Sequence, residues 1–124
     1  MFRTNKIYIQ ITRNRITVVN LETGNEATRT STEPFSTSRS VLSKYNPAYE
    51  TLTAAMQDLR LKRSFFKIKA VIQQMEDTEG GLTDIEKRAL RDLAESVGAG
   101  KVHIIDGNKR LTNVEALANI EGEY

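Results

Sequence analysis

Hydrophobic and polar residues alternate at the start of the chain. In residues 6–12, Ile7, Ile9 and Ile11 share one face, which predicts a half-buried strand. The segment RITVVNL, residues 15–21, is rich in β-branched residues and predicts a second strand. The linking TRNR is short enough for a hairpin, and Asn14 is its residue best suited to a positive φ. The polar segment ATRTST, residues 27–32, predicts a third strand at a sheet edge.

Helical spacing replaces this alternation after Pro34. Residues 46–62 carry apolar side chains at Leu52, Ala55 and Met56, which predicts a helix packed on a core. Asn46 is the expected N-cap, and Pro47 is expected at the first helical position, where its missing N–H costs nothing. The segment FFKIKAVIQQM, residues 65–75, then predicts a central strand.

A second helix and a last strand are predicted in LTDIEKRALRDLAESVGAGKVHII, residues 82–105. Thr83 and Glu86 form a T-x-x-E capping box, and Gly98 suits a left-handed helix end. The expected apolar stripe consists of Ile85, Ala89, Leu90, Leu93 and Val97. A short helix is predicted at residues 113–120, with Thr112 or Asn113 as its cap.

The predicted element order is β-β-β-α-β-α-β. It indicates one α/β domain over residues 1–124, built on a mixed five-stranded sheet with helices on its faces. Residues 121–124 are expected to fray. This order characterises ribonuclease-H-like and actin-like single lobes, and we expect such a lobe here.

The stretch from residue 82 to 105 resembles a helix–strand segment of the MreB family, the bacterial actin-like rod-shape-determining proteins. That family has the pattern T-x-x-E-x-R-A-x-R-x-x-A-x-x-x-G-A-x-x-V. The matching residues here are Thr83, Glu86, Arg88, Ala89, Arg91, Ala94, Gly98, Ala99 and Val102. Over nearly its full length the chain is also similar to small enterobacterial proteins of the YjaA type, which share a YIQI-RNxIT opening and an EGGL stretch.

The first hairpin departs from the actin-like pattern. In actin-like ATPases it carries a phosphate loop of the Asp-Leu-Gly-Thr type, in which glycine admits the phosphates and the carboxylate organises a metal. Here the corresponding residues are Gln10, Ile11, Thr12 and Arg13. The sequence ends at Tyr124, before the second lobe that completes the nucleotide site in the family. We therefore expect no ATP hydrolysis by this chain alone, and no catalytic, cofactor or metal site.

Composition and isolated polar residues add little further chemistry. The 18 basic and 16 acidic residues leave a net charge of +2, which neither supports nor excludes nucleic-acid binding. Absence of cysteine excludes thiolate nucleophiles and zinc–thiolate sites. His103, with Asp106 as its nearest carboxylate along the chain, is interpreted as a partly exposed structural residue. The acids Glu76, Asp77 and Glu79 are interpreted as a solvated loop rather than a metal site.

These observations favour a small non-enzymatic interaction or accessory protein, a degenerate actin-like lobe that the resemblance links to bacterial cell shape. The partner we predict is a protein, and the resemblance points to the bacterial actin or another cell-shape component. The polar third strand and the loop of residues 35–45 are the expected contact surfaces. In that loop the predicted contacts are Phe35, Arg39 and Tyr45.

Two alternatives remain open from the sequence. One is a stress-associated regulatory protein that binds a different protein partner. The other is a weak nucleic-acid binder that uses the basic run of residues 60–69, with Arg60, Arg63 and Lys67 as contacts beside Phe65 and Phe66. No apolar run approaches the length of a membrane span, and the amino end lacks a signal-peptide pattern. We therefore expect a cytoplasmic protein that does not insert into membranes.

Overall fold

The structure is a computed structural model that describes residues 5–37, 42–61, 68–76 and 80–121. The described strands are β1 (Asn5–Thr12), β2 (Arg15–Asn20), β3 (Glu26–Thr30), β4 (Ile68–Gln74) and β5 (Ala99–Asp106). The described helices are α1 (Tyr45–Asp58), α2 (Asp84–Ser96) and α3 (Asn113–Glu121). The element order predicted from the sequence is confirmed, with α3 following β5.

The described strands form one mixed sheet in the order β3-β2-β1-β4-β5. β1 pairs antiparallel with β2, and β2 antiparallel with β3, as expected for consecutive strands joined by tight turns. β4 is parallel to β1, and β5 is parallel to β4, because each follows a helical crossover. The predictions of a mixed five-stranded sheet, of β3 at its edge and of β4 inside it are confirmed.

The main core lies between the sheet and helices α1 and α2. The alternating isoleucines of β1, Ile7, Ile9 and Ile11, are each fully buried there. They meet the predicted apolar residues of α1, of which Leu52 is fully buried. Burial of one such aliphatic side chain stabilises the fold by about 1.5–3 kcal/mol. The core function assigned to both patterns is confirmed.

A smaller apolar cluster lies on the opposite face of the sheet, under α3. Tyr8, Val19 and Val71 from three strands pack there against Ala116 and Ile120 of the helix. The sheet is therefore covered on both faces near β1. This explains why consecutive residues of β1, on alternating faces, are all buried from Ile7 to Ile11.

Helix α1 begins earlier than the sequence suggested. Its first residue is Tyr45 and its N-cap position is Lys44, which makes no side-chain capping bond. The predicted N-cap at Asn46 is wrong, and Pro47 is the third helical residue rather than the first. Proline is still accepted at that position because the N–H groups of the first turn have no partner within the helix.

Helix α2 has the predicted ends and most of the predicted apolar stripe, but not Ile85. Leu90 and Leu93 are fully buried and Gly98 has φ +106°, so the stripe and the glycine stop are confirmed there. Ile85, however, is 83% exposed, and its assignment to the core is wrong. It precedes Leu90 by five residues, which places it about 140° around the helix from that side chain.

Both hydrogen bonds of the predicted capping box are present at the start of α2. The N–H of Glu86 donates to Thr83 Oγ1 over 3.1 Å, and the N–H of Thr83 donates to Glu86 Oε1 over 3.0 Å. We expect Thr83→Ala to lower the free energy of unfolding by about 1 kcal/mol, since the N–H of Glu86 loses its acceptor. Urea denaturation measures this change, with Thr83→Ser as the control that keeps the hydroxyl. Equal losses for the alanine and serine variants would contradict a capping role.

Helix α3 is fastened at both of its ends. Thr112 and Glu115 form a second reciprocal cap, with bonds of 3.1 and 2.8 Å, which confirms Thr112 as a cap. Glu121 is the last helical residue and accepts a 2.7 Å hydrogen bond from Lys6 Nζ. That bond lowers the pKa of Glu121. The expected fraying therefore does not include Glu121, and residues 122–124 lie outside the described part.

Candidate functional site

The structure describes two of the three residues predicted to contact a partner, Phe35 and Tyr45, and they lie in different environments. Phe35 is fully buried in the main core, so its assignment to a contact surface is wrong. Arg39 lies outside the described residues. Tyr45 is 38% exposed, and its ring stacks on Tyr49 with centroids 6.5 Å apart. Only Tyr45 of the three is therefore shown at the surface.

The backbone at Phe35 is held by hydrogen bonds to the turn between β1 and β2. Asn14 has φ +57°, as its prediction required. Its side-chain Oδ1 accepts from the N–H groups of Phe35 and Ser36, at 2.9 and 2.8 Å. The carbonyl of Phe35 in turn accepts from the N–H groups of Ser43 and Lys44. This loop is thus tied to the hairpin and to the start of α1.

The exposed charges of the polar edge strand β3 are engaged within the chain. Arg29 donates two 2.7 Å hydrogen bonds to the carboxylate of Asp58 on α1. These bonds lower the pKa of Asp58. Glu26 forms a 2.7 Å ion pair with Arg110. This predicted contact surface therefore presents paired rather than open charges.

The basic run predicted to contact nucleic acid is described only at its start. Arg60 is exposed and has φ +58°, directly after α1. Arg63 and Lys67 lie outside the described residues, as do Phe65 and Phe66. Arg60 is therefore the one predicted nucleic-acid contact among the described residues.

At the carboxyl ends of β1 and β4, backbone and side-chain groups of the chain bond to one another. The N–H of Met75 donates to the carbonyl of Ile11 over 2.9 Å, which extends the pairing of these strands. The N–H of Arg13 donates to Glu76 Oε2 over 3.1 Å, and the two side chains lie 3.8 Å apart as an ion pair. Glu76, the described member of the predicted acidic loop, thus anchors the first hairpin.

Asp106 closes the neighbouring strand end in the same way. Its Oδ1 accepts from Gln74 Nε2 at 2.9 Å, and its Oδ2 accepts from the N–H of Leu82 at 3.0 Å. Gly81 permits this approach: it has φ +72°, and a Cβ there would lie 2.9 Å from Asp106 Oδ2. Asp106 therefore has a structural role. It lines the same surface cavity as the half-buried His103.

A buried polar network fixes the segment before α3. The hydroxyl of Tyr8 donates to Gln73 Oε1 and accepts from the N–H of Leu111 at 3.0 Å. Gln73 Nε2 donates to the carbonyls of Gly107 and Lys109, at 2.6 and 2.9 Å. Burial raises the pKa of Tyr8, which keeps the hydroxyl protonated as a donor. Sequence alternation alone could not reveal this network, because tyrosine and glutamine suit an exposed strand face equally well.

The side chain of Gln10 is also buried, but its amide nitrogen lacks the hydrogen bonds that the Gln73 amide makes. It is 7% exposed, and its Nε2 has no hydrogen-bond partner among the described residues. An unpaired buried amide costs about 1–3 kcal/mol.

We therefore expect Gln10→Met, which removes the amide at similar volume, to raise the free energy of unfolding by about 1 kcal/mol. Urea denaturation measures this change. Gln73→Met is the matched control on the neighbouring strand, and it should be destabilising because it removes three hydrogen bonds of the side-chain amide. A loss of stability in Gln10→Met would show that this amide is satisfied.

No group of three or more histidine or carboxylate side chains that could hold a metal occurs among the described residues. Asp77 and Glu79 of the acidic loop lie outside them. The described polar groups at the strand ends thus serve the fold, through pairs such as Arg13–Glu76 and Gln74–Asp106.

A surface that the sequence analysis did not single out lies along the outer edge of β5. A cavity of about 500 Å³ opens there between α2 and α3. Its lining residues are Leu82, Lys87, Arg91, Val102, His103, Ile104, Asp106 and Asn119. The sequence feature that could have indicated this surface is the spacing of Lys87 and Arg91, which lie one helical turn apart on the helix before the last strand. We call this surface the β5 groove.

No protein-family model matches the chain, and no curated protein matches its sequence. The resemblances to the MreB family and to YjaA-type proteins therefore stay predictions.

Among the described helices, none combines the length and the apolar character that a membrane span requires.

Proposed function

We propose that this protein is a non-enzymatic cytoplasmic interaction or accessory protein, an actin-like lobe without a nucleotide site. Its partner is a protein, and the sequence resemblance points to the bacterial actin or another cell-shape component. The observation that carries the proposal is the closure of the sheet at the carboxyl ends of β1 and β4. There the hairpin residues that would have to meet phosphates are bonded to the chain itself.

Three features of the hairpin support this proposal. The backbone N–H of Arg13, a group that a phosphate loop would offer to its ligand, donates to Glu76. The N–H of Asn14 donates to Ser36 Oγ over 3.0 Å. The carboxylate of Glu76 would also repel a phosphate placed beside it. Binding a nucleotide here would therefore require breaking several internal contacts.

The strand order adds support at the level of fold. An antiparallel β1–β2–β3 unit followed by two parallel strands is the arrangement that the predicted lobe requires. Fold alone does not determine function, so the proposal depends on the hairpin contacts. For the nucleic-acid alternative, the described residues contain Arg60 alone of the predicted contacts, and no observation favours it.

A tagged pull-down from native bacterial lysate at physiological salt, with and without nuclease, tests the choice of partner. Mass spectrometry should recover the bacterial actin or its envelope partners, with yields that nuclease does not change. Recovery that depends on intact RNA would contradict the proposal and favour the basic run of residues 60–69. A phosphate-driven complex would also weaken steeply with salt, unlike an apolar protein interface.

Nucleotide binding tests the non-enzymatic part of the proposal separately. Titration calorimetry with MgATP should give no saturable heat, and the purified protein should release no phosphate from ATP. Glu76→Gln, which removes the repelling charge at the hairpin, provides a matched comparison. Saturable MgATP binding by the unaltered protein would contradict the proposal.

A further inference from the structure

We propose that the β5 groove binds an extended acidic segment of a partner protein, which adds a strand beside β5 at the edge of the described sheet. This inference rests on the proposed function, because it specifies which surface contacts the protein partner and what chemistry that partner offers. Strand addition is a common mode of peptide recognition, in which main-chain bonds give affinity and alternate side chains give specificity.

The backbone of β5 is oriented for such pairing. In the described sheet, β5 pairs with β4 alone. The N–H of Gly107 donates to Gln74 on β4. Because backbone groups alternate in direction along a strand, Ile104 and Asp106 turn theirs outward. Arg91 Nη1 lies 3.5 Å from the carbonyl of Val102, which places that carbonyl on the outer side too.

The groove has walls on both sides of this edge. Lys87 and Arg91 of α2 form one wall, and Asn119 of α3 contributes to the other. Ile104 and Val102 form an apolar floor beside the outward backbone groups. An extended segment fits this shape, since it needs a backbone edge along its length and space for side chains on alternating sides.

The charge in the groove favours an acidic occupant. Lys87 and Arg91 are exposed cations on its α2 wall. Asp106 is the acidic lining residue, and both of its carboxylate oxygens already accept hydrogen bonds from Gln74 and Leu82. Two cations against one carboxylate leave the lining side chains with a net positive charge that an acidic partner would complement.

The spacing of the cations matches a strand. Lys87 and Arg91 are four residues apart on a helix, a rise of about 6 Å. Alternate residues of an extended chain are about 6.6 Å apart and point to the same side. Acidic side chains at every second position of the partner would therefore reach both cations together.

A second copy of this chain is a poor occupant of the same edge. Twofold pairing of two β5 strands would bring the same surface of each copy together. Lys87 and Arg91 of each copy would then face the cations of the other. Like charges brought together across an interface are unfavourable, so we expect the protein to remain monomeric at this edge.

The test uses the full chain and an acetylated, amidated heptapeptide that alternates glutamate and valine. Titration at physiological salt should give saturable binding, and the double variant Lys87→Glu/Arg91→Glu should weaken it by about tenfold or more. Arg88→Glu is the matched control: it makes the same charge change on α2 at an exposed residue outside the groove lining. That control should change the affinity by less than about twofold.

Two further measurements separate strand addition from general charge attraction. Bound peptide should slow hydrogen exchange at the amide of Ile104, which faces outward from β5. A peptide of the same composition with its glutamates adjacent should bind about tenfold more weakly, because neighbouring side chains point to opposite sides. Absence of saturable binding, an equal effect of Arg88→Glu, or no slowing at Ile104 would each overturn the inference.

The same double variant distinguishes this inference from the proposed function. If the pull-down recovers the same partner equally well with Lys87→Glu/Arg91→Glu, the β5 groove is not the contact and the proposed function stands. If the unaltered protein binds MgATP or recovers only nuclease-sensitive material, the proposed function fails, whatever the peptide result. A dimer in sedimentation that the double variant abolishes would assign the edge to a second copy and overturn the inference.

Discussion

Replacing Phe35 with alanine is expected to lower the free energy of unfolding by about 3–5 kcal/mol. The ring is fully buried in the main core, although it belongs to a loop. Its removal takes apolar surface out of the core and leaves a cavity that the surrounding strands and helices fill only in part. Urea denaturation followed by circular dichroism measures the change, and the loss is a large fraction of the stability of a typical domain.

Two control variants separate burial from surface contact. Phe35→Leu keeps most of the apolar volume and should cost about 1–2 kcal/mol. Tyr45→Ala removes a ring that is 38% exposed, so it should cost less than Phe35→Ala. If Phe35→Ala left stability unchanged and abolished partner capture, Phe35 would be a contact residue after all.

Alternation and helical spacing were sufficient to predict most of the elements. They report which side of a strand or helix faces apolar surroundings, and Ile7, Ile9 and Leu90 illustrate this directly. Loop residues carry no such period. Phe35 is one apolar residue among serines and threonines, and no pattern around it predicts that its side chain is buried in the core.

The errors at the helix ends have a similar origin. Ile85 has an apolar side chain near the expected stripe, but its exposure depends on how α2 is rotated against the sheet. Pro47 is compatible with any position in the first helical turn, so its presence predicted that a helix starts nearby but not which residue is the first. Local patterns identify a helix, whereas neighbouring elements decide its rotation and its first residue.

The candidate sites were harder to predict than the fold. The contacts of Glu76 and Asp106 join residues far apart in the sequence, and no spacing rule connects them. The β5 groove likewise depends on α2, β5 and α3 meeting at one edge. A strand at an edge and a strand inside a sheet can share one hydrophobic pattern, so the outer position of β5 in the described sheet could be recognised only after the pairing was known.

Replacing Asn14 with alanine is the second large effect that we expect, a loss of about 2–4 kcal/mol. Alanine removes the Oδ1 that accepts from the N–H groups of Phe35 and Ser36, which costs about 1–3 kcal/mol. It also places a side chain that tolerates positive φ poorly at +57°, at a cost of about 1 kcal/mol. Thermal and urea unfolding measure the sum.

Three substitutions at this one position divide the effect between its causes. Asn14→Asp keeps an acceptor and should retain most of the stability, whereas Asn14→Gly relieves the backbone and loses the acceptor, so it should fall between aspartate and alanine. Equal stability of the glycine and aspartate variants would show that backbone strain alone determines the loss. Since Asn14 positions the backbone of Phe35, the losses from Asn14→Ala and Phe35→Ala should also be less than additive in the double variant. A double-mutant cycle with additive losses would mean that the ring reaches the core without help from the turn.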